Sequence, residues 1–293
     1  MGFLREFLKG VLIGVANIIP GVSGGTMAVS MGVYDKIIKA INSLRKQFTK
    51  SVLTLLPYAL GAVAGIGALS FVVKSSLETY PLQTSGLFIG LIAGGLPVLF
   101  KKVKGARPTA GNVIAFLVFF AIVAGMAFMS GGDGASTDIT LSVGTVLLLC
   151  LIGAVASATM IIPGVSGSLV LMILGFYGIV ISNISNLIRA LSPLDSAALL
   201  HGLGVLVPFG LGILLGIGLI AKLIDMLFAK APVVTYYAIL GLVFGSPVAI
   251  LYKVGATGVT VLSAAAAALL FALGFAVSFF LGGEEKPKAD TAP

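Results

Sequence analysis

The 293-residue chain holds one cysteine, Cys150, one histidine, His201, and only 10% charged residues. A lone cysteine makes no intrachain disulfide. So little charge excludes a soluble globular domain, which carries about a quarter of its residues charged. One histidine and few carboxylates, none deep in an apolar run, leave hydrolysis without groups to position a nucleophile and move protons. The net charge of +8 comes with no nucleic-acid motif. It has a plainer source in the Lys- and Arg-rich cytoplasmic loops of membrane proteins.

What is present is apolar: 58% of residues are hydrophobic and the mean hydropathy is +1.16. Runs of about 20 residues, enough to cross a bilayer, fall at roughly 51–73, 84–100, 111–130, 202–221, 232–252 and 258–281. Two further apolar runs, 7–34 and 141–181, are each interrupted by proline and glycine. The chain reads as an all-α polytopic membrane protein. Arg5, Lys9, the following apolar run and "AVS" imitate a signal peptide. The same unit recurs internally, where no cleavage is possible, which argues against one. The tail "GGEEKPKADTAP", residues 282–293, reads as disordered and cytoplasmic.

The interruptions are copies of each other. "IIPGVSGG" at 18–25 returns as "IIPGVSG" at 161–167, an offset of about 143, and Gly32 and Tyr34 align with Gly175 and Tyr177. At an offset of about 151, Pro57, Gly61, Gly65 and Gly67 match Pro208, Gly212, Gly216 and Gly218. Pro81, Gly90 and Gly94 then match Pro232, Gly241 and Gly245. The chain therefore divides into repeats at 1–135 and 136–281, joined by "SGGDGASTDI" at 130–139. If each motif run is a re-entrant hairpin, each repeat has about three crossings and the second is inverted. If each run spans, the repeats are parallel. The hairpin arrangement puts about 15 Lys and Arg inside against 3 outside; the spanning one gives roughly 11 against 7. The positive-inside rule thus favours two inverted repeats, cytoplasmic termini and an external 131–139. The run 141–181, of about 40 residues, is also long enough for two full spans.

Proline ends a helix and glycine lets the chain turn where a side chain would clash. Backbone broken at membrane depth survives only when buried in protein or lining a cavity. The helix that starts after the break turns bare N–H groups towards that cavity, a setting suited to an anion and above all to phosphate. Gly21, Gly24, Gly25, Gly164 and Gly167 admit a ligand to the backbone, and Ser23, Thr26, Ser166 and Ser168 add hydroxyls. A lone Pro-Gly is more simply a kink, but the duplication argues for a shared site. Asn17, whose counterpart is Met160, is either a ligand contact or a helix-to-helix hydrogen bond. Arg189, a rare outside cation, suits either a lipid phosphate or interfacial anchoring. Gly61, Gly65, Gly212 and Gly216 read as helix packing, and Lys74, Glu78, Lys222 and Asp225 as snorkelling side chains at span ends.

The segments "GVANIIPGVSGGTMAVSMGVYDKIIKAI" and "MIIPGVSGSLVLMILGFYGIV" resemble the hallmark segments of the PopT-type polyprenyl-phosphate transporters, formerly a domain of unknown function. The resemblance covers nearly the whole chain. It implies a flippase, not an enzyme, that returns undecaprenyl phosphate from the outer to the inner leaflet of the bacterial cytoplasmic membrane for cell-wall synthesis. The partners it implies are the lipid substrate and the surrounding membrane lipids, with no cofactor or nucleic acid. Directional transport calls for a coupling ion, H+ or Na+, for which Asp35, Glu78, Asp225 and His201 are the available groups. Integral undecaprenyl-pyrophosphate phosphatases carry a similar Pro-Gly-x-Ser segment followed by an Arg-Ser pair, with clustered glutamates in the opposite hairpin. Here Gly24-Gly25 and Gly167-Ser168 occupy the Arg-Ser place, and no glutamate lies in either motif run save Glu6 at the very edge of the first, near the N-terminus. That keeps the phosphate-gripping turn and drops the catalytic set. A small-anion transporter is a further alternative that the break motif alone allows.

Overall fold

Helix-capping side chains, prolines and left-handed glycines divide an otherwise continuous helical chain. The structure, a computed structural model, describes residues 2–18, 23–128, 139–190, 195–254 and 259–282. Gly21, most of the 130–139 linker and the tail from 283 onward lie outside the described residues. Those described form α1 (Gly2–Ile18), α2 (Gly24–Ser30), α3 (Tyr34–Ser43), α4 (Phe48–Thr79), α5 (Pro81–Val103) and α6 (Ala110–Ala127). The chain continues with α7 (Val143–Ile161), α8 (Gly167–Ile173), α9 (Tyr177–Arg189), α10 (Ser196–Lys230), α11 (Pro232–Val254) and α12 (Val261–Gly282). No strand occurs among the described residues.

The boundaries have local causes. A residue before proline is pushed out of the helical region, so α4 stops at Thr79 ahead of Tyr80-Pro81, and α10 stops at Lys230 ahead of Ala231-Pro232. Thr109, Ser142 and Asp195 cap α6, α7 and α10, each accepting a first-turn N–H. The two seven-residue helices α2 and α8 end alike. Gly32 (φ 67°) and Gly175 (φ 78°) take the left-handed conformation, and the following N–H groups turn back, Val33 to Ala28 O at 3.0 Å and Phe176 to Leu171 O at 2.9 Å.

Seven helices among the described residues are long and apolar enough to cross a membrane: α4, α5, α6, α7, α10, α11 and α12. The α8–α9 pair, bent by 108°, makes an eighth if counted as one span. The stretch 141–181 is therefore not two straight spans. The amphipathic α3 and α9 were not legible as separate helices, because a search for apolar runs passes over segments rich in Asp, Lys and Asn. α4 and α10 reach 32 and 35 residues, well beyond the apolar runs that mark them. Large apolar side chains such as Leu214, Leu219, Leu262, Leu269 and Phe280 face outward. That surface suits hydrocarbon, and the chain is a multi-pass membrane protein.

The four main helix pairings repeat between the two halves. α1 packs on α4 as α7 packs on α10, while α6 packs on α11 and α12 on α5. Lipid tails supply no hydrophobic drive between helices, so close backbone approach at small residues matters most. A Cβ on Gly61 would lie 2.1 Å from Phe7 O, and one on Gly212 would lie 1.9 Å from Cys150 O, the counterpart of Phe7. Gly10 meets Tyr58 O as Gly153 meets Phe209 O, and Gly90 meets Phe271 O as Gly241 meets Phe116 O. These glycines are packing residues. Gly67 and Gly218, in the same sequence blocks, face open space. At one end of the bundle, the Arg5 guanidinium donates to Leu281 O at 3.1 Å, joining the start of α1 to the end of α12.

Candidate functional site

The start of α2 meets the segment between α7 and α8. Ser23 Oγ donates to Ile162 O at 3.4 Å, and the Gly164 N–H donates to Thr26 Oγ1. Glycine makes this approach possible: a Cβ on Gly25 would stand 2.7 Å from Ile161 O. Gly164 has φ +82° and would carry a Cβ 2.6 Å from Leu242 O.

The residues that open α2 and α8, the two tips, match in sequence and differ in chemistry. At the first, Asn17 Oδ1 accepts from the Gly24 N–H at 3.1 Å while its Nδ2 donates to Ile13 O at 3.0 Å. Ser23 Oγ accepts from the Gly25 N–H at 3.1 Å. At the second tip Met160 occupies Asn17's position: its Cγ lies 2.5 Å from where a Gly167 Cβ would be, as Asn17 Nδ2 does for Gly24. No side chain caps α8; the Ser166 hydroxyl instead pairs with Ser168 Oγ at 3.0 Å. One tip is closed by an amide and a hydroxyl, and the other presents a hydroxyl pair beside an uncapped first turn.

Between the tips and α3 lies a cavity of about 410 Å³. Its polar end is made by Asn17, Ser23, Gly24, Gly25, Ser166, Gly167 and Ser168, and its walls by Ile13, Ile37, Ile38, Ile41 and Ile66. Among the described residues that line it, none carries a formal charge. Hydroxyl and N–H donors beside apolar walls can hold a phosphate together with the first carbons of a hydrocarbon chain. Among the described residues no group of three or more His, Cys, Asp or Glu could hold a metal ion.

Seven of the eleven residues singled out in the sequence thus line one cavity. Thr26, with 0% exposure, and Gly164 sit behind it, fastening one tip to the other. Gly21 lies outside the described residues. Arg189 is elsewhere, in a separate cavity of about 380 Å³ with Asn183, Asn186, Asp195 and His201. Tyr34, marked by the repeat but not as a site residue, lines the tip cavity and also a space of about 30 Å³ with Asp35, Lys102 and Tyr236. The Tyr236 hydroxyl donates to Asp35 Oδ2 at 2.6 Å. Lys9, which counts among loop cations on sequence grounds, is only 7% exposed. Its Nζ donates to Met31 O at 3.0 Å, putting a cation at the C-terminal end of α2, where the helix dipole favours it. No periodicity marks Lys9, because its partner carbonyl comes from another helix.

The family described as undecaprenyl phosphate translocase-like matches residues 13–267. A protein of Staphylococcus aureus named polyprenyl-phosphate transporter is 31% identical over 280 residues, 94% of this chain and 95% of its own length. A Vibrio cholerae protein with the same name is 25% identical over 260 residues, covering 84% of this chain and 77% of its own. No solved structure matches the chain.

Proposed function

The chain belongs to the undecaprenyl phosphate translocase-like family, and on that premise we propose that it carries undecaprenyl phosphate from the outer to the inner leaflet of a bacterial cytoplasmic membrane. The family and the two relatives are named for transport, not for an enzymatic reaction. The phosphate would sit between the PGVSG tips, held by Ser23, Ser166, Ser168 and the N–H groups of the uncapped first turn of α8. One observation carries this reading: the residues that follow the two Pro-Gly pairs, Ser23 to Gly25 and Ser166 to Ser168, about 143 residues apart, line one cavity whose other described walls are mainly apolar and rich in isoleucine. A small inorganic anion has no use for those walls, whereas a polyprenyl chain does. The lack of charge also fits transport, which needs binding weak enough to release its cargo.

The matching helix pairings support two repeats, and the Lys and Arg distribution supports their inversion about the tips, with both termini cytoplasmic. In that orientation Asp35, hydrogen-bonded to Tyr236 and separated from the tip cavity by Tyr34, is the group best situated to carry a coupling H+ or Na+.

Ser23→Ala, Ser166→Ala and the double variant test the site, compared at matched expression and melting temperature. Losing a hydroxyl contact to a charged phosphate is expected to weaken polyprenyl-phosphate binding roughly ten- to hundred-fold, with flipping in proteoliposomes reduced alongside. If the double variant binds and transports as the parent does, the phosphate is held elsewhere.

A further inference from the structure

The tip cavity has no countercharge for a phosphate, and stripping an ionised group of water without one is costly. The cavity that holds Arg189 has the complementary character. Five of its seven lining residues are polar or charged: Asn183, Asn186, Arg189, Asp195 and His201. The one carboxylate among its described lining residues caps α10, with Asp195 Oδ1 accepting from the Ala197 and Ala198 N–H groups at 3.0 Å each. Arg189 is exposed and makes no hydrogen bond or ion pair among the described residues. His201 Nε2 lies 3.1 Å from Ile139 O. A carbonyl only accepts, so Nε2 carries the hydrogen, which fixes the ring against the segment that leads into α7. The tips lie at the other end of α7, whose 19 residues put roughly 28 Å of helix between the two cavities.

We propose that the Arg189 cavity is a second phosphate-monoester site, a capture station at the membrane face where α7 begins, which receives the headgroup before it reaches the uncharged tips. A guanidinium offers a planar fork of donors matched to phosphate oxygens, and Asn186 adds an amide beside it. The water-accessible, charged site attracts the headgroup, and the uncharged one lets it pass. This deepens the reading of the chain as a polyprenyl-phosphate carrier and rests on it for the lipid source. The chemistry of the cavity stands apart from that reading.

The test uses the full-length protein in detergent and in proteoliposomes, with Arg189→Gln, Arg189→Lys and the Ser23→Ala/Ser166→Ala double variant. The binding probes are farnesyl phosphate, inorganic phosphate and farnesol. Arg189→Gln is expected to weaken farnesyl phosphate binding about ten-fold or more, leave farnesol unchanged, and raise the half-saturating concentration of outward-facing undecaprenyl phosphate more than it lowers the maximal rate. Arg189→Lys is expected to recover part of the loss. Inorganic phosphate that competes as well as farnesyl phosphate assigns the site to free phosphate; failure to compete assigns it to the lipid headgroup; either supports a phosphate site. Unchanged farnesyl phosphate binding in Arg189→Gln, or an equal loss for farnesol, overturns it. A silent serine double variant beside an impaired Arg189→Gln removes the tip site and leaves this one, and the converse pattern removes this one alone.

Discussion

Asn17 and Met160 occupy the same position in the two tips and do different things there. The Asn17 amide accepts the Gly24 N–H, whereas Met160 covers Gly167 with a thioether that is a poor acceptor. Asn17→Met, which copies the second tip onto the first, is expected to cost about 1 kcal/mol of stability, the usual worth of a helix N-terminal cap. The reciprocal Met160→Asn is expected to gain a similar amount. Thermal unfolding in detergent checks both, and an Asn17→Met melting temperature equal to the parent's would remove the cap as the reason for the asparagine. The sequence singled out Asn17 as a polar residue at depth and left its partner open between a ligand and another helix. The observed partner is the Gly24 N–H at the start of α2, so the bond runs from one helix to another. Lys9 was legible only as a charge, since its burial depends on α2 folding back so that Met31 O faces it.

Among the helices, glycines that look equivalent in the sequence separate once the elements pack. Gly212 and Gly218 both lie in α10 and both match glycines in α4, yet a methyl on Gly212 would meet Cys150 O at 1.9 Å and one on Gly218 would meet nothing within 4 Å. Gly212→Ala is expected to force α7 and α10 apart at a cost of about 1–3 kcal/mol. Gly218→Ala is expected to be neutral or to stabilise by up to about 1 kcal/mol, because alanine is the better helix former. Melting temperatures of the two variants, measured side by side, decide it; equal losses would mean that helix packing does not distinguish them. Proline was an uneven guide to breaks: Pro81 and Pro232 open helices and Pro163 falls between two, whereas Pro57, Pro97, Pro208 and Pro247 lie inside α4, α5, α10 and α11. α3 and α9 were not legible, because their apolar faces are short and interleaved with Asp, Lys and Asn.

For the molecule as a whole, the Lys and Arg distribution predicts sidedness. In a Cys150→Ser background, Thr140→Cys is expected to react with a membrane-impermeant maleimide from outside intact cells, and Gln47→Cys only after permeabilisation. Reaction of Thr140→Cys solely from the cytoplasm would invert the topology and, with it, the outer-leaflet role of the Arg189 cavity. The contact of Arg5 with Leu281 O already puts the starts and ends of the helical bundle on one side.

By itself the sequence determined the solvent, the class and the punctuation of this protein. Those follow from composition, from the length of apolar runs and from proline and glycine, all of which act over a few residues. It also determined that a Pro-Gly-x-Ser break occurs twice, since a repeat is a property of the string. Tertiary structure alone decided which helices pair. α6 and α12 are apolar on every side and carry no stripe that names a partner, so their exchange onto α11 and α5 is settled by the glycine faces of those helices. It decided, too, that Thr26 and Gly164 fasten the tips together, that Arg189 belongs to a different cavity, and that α3 brings Ile37, Ile38 and Ile41 to the tip cavity. Each of these joins residues far apart along the chain, where neither periodicity nor spacing reaches and only packing brings the groups within bonding distance.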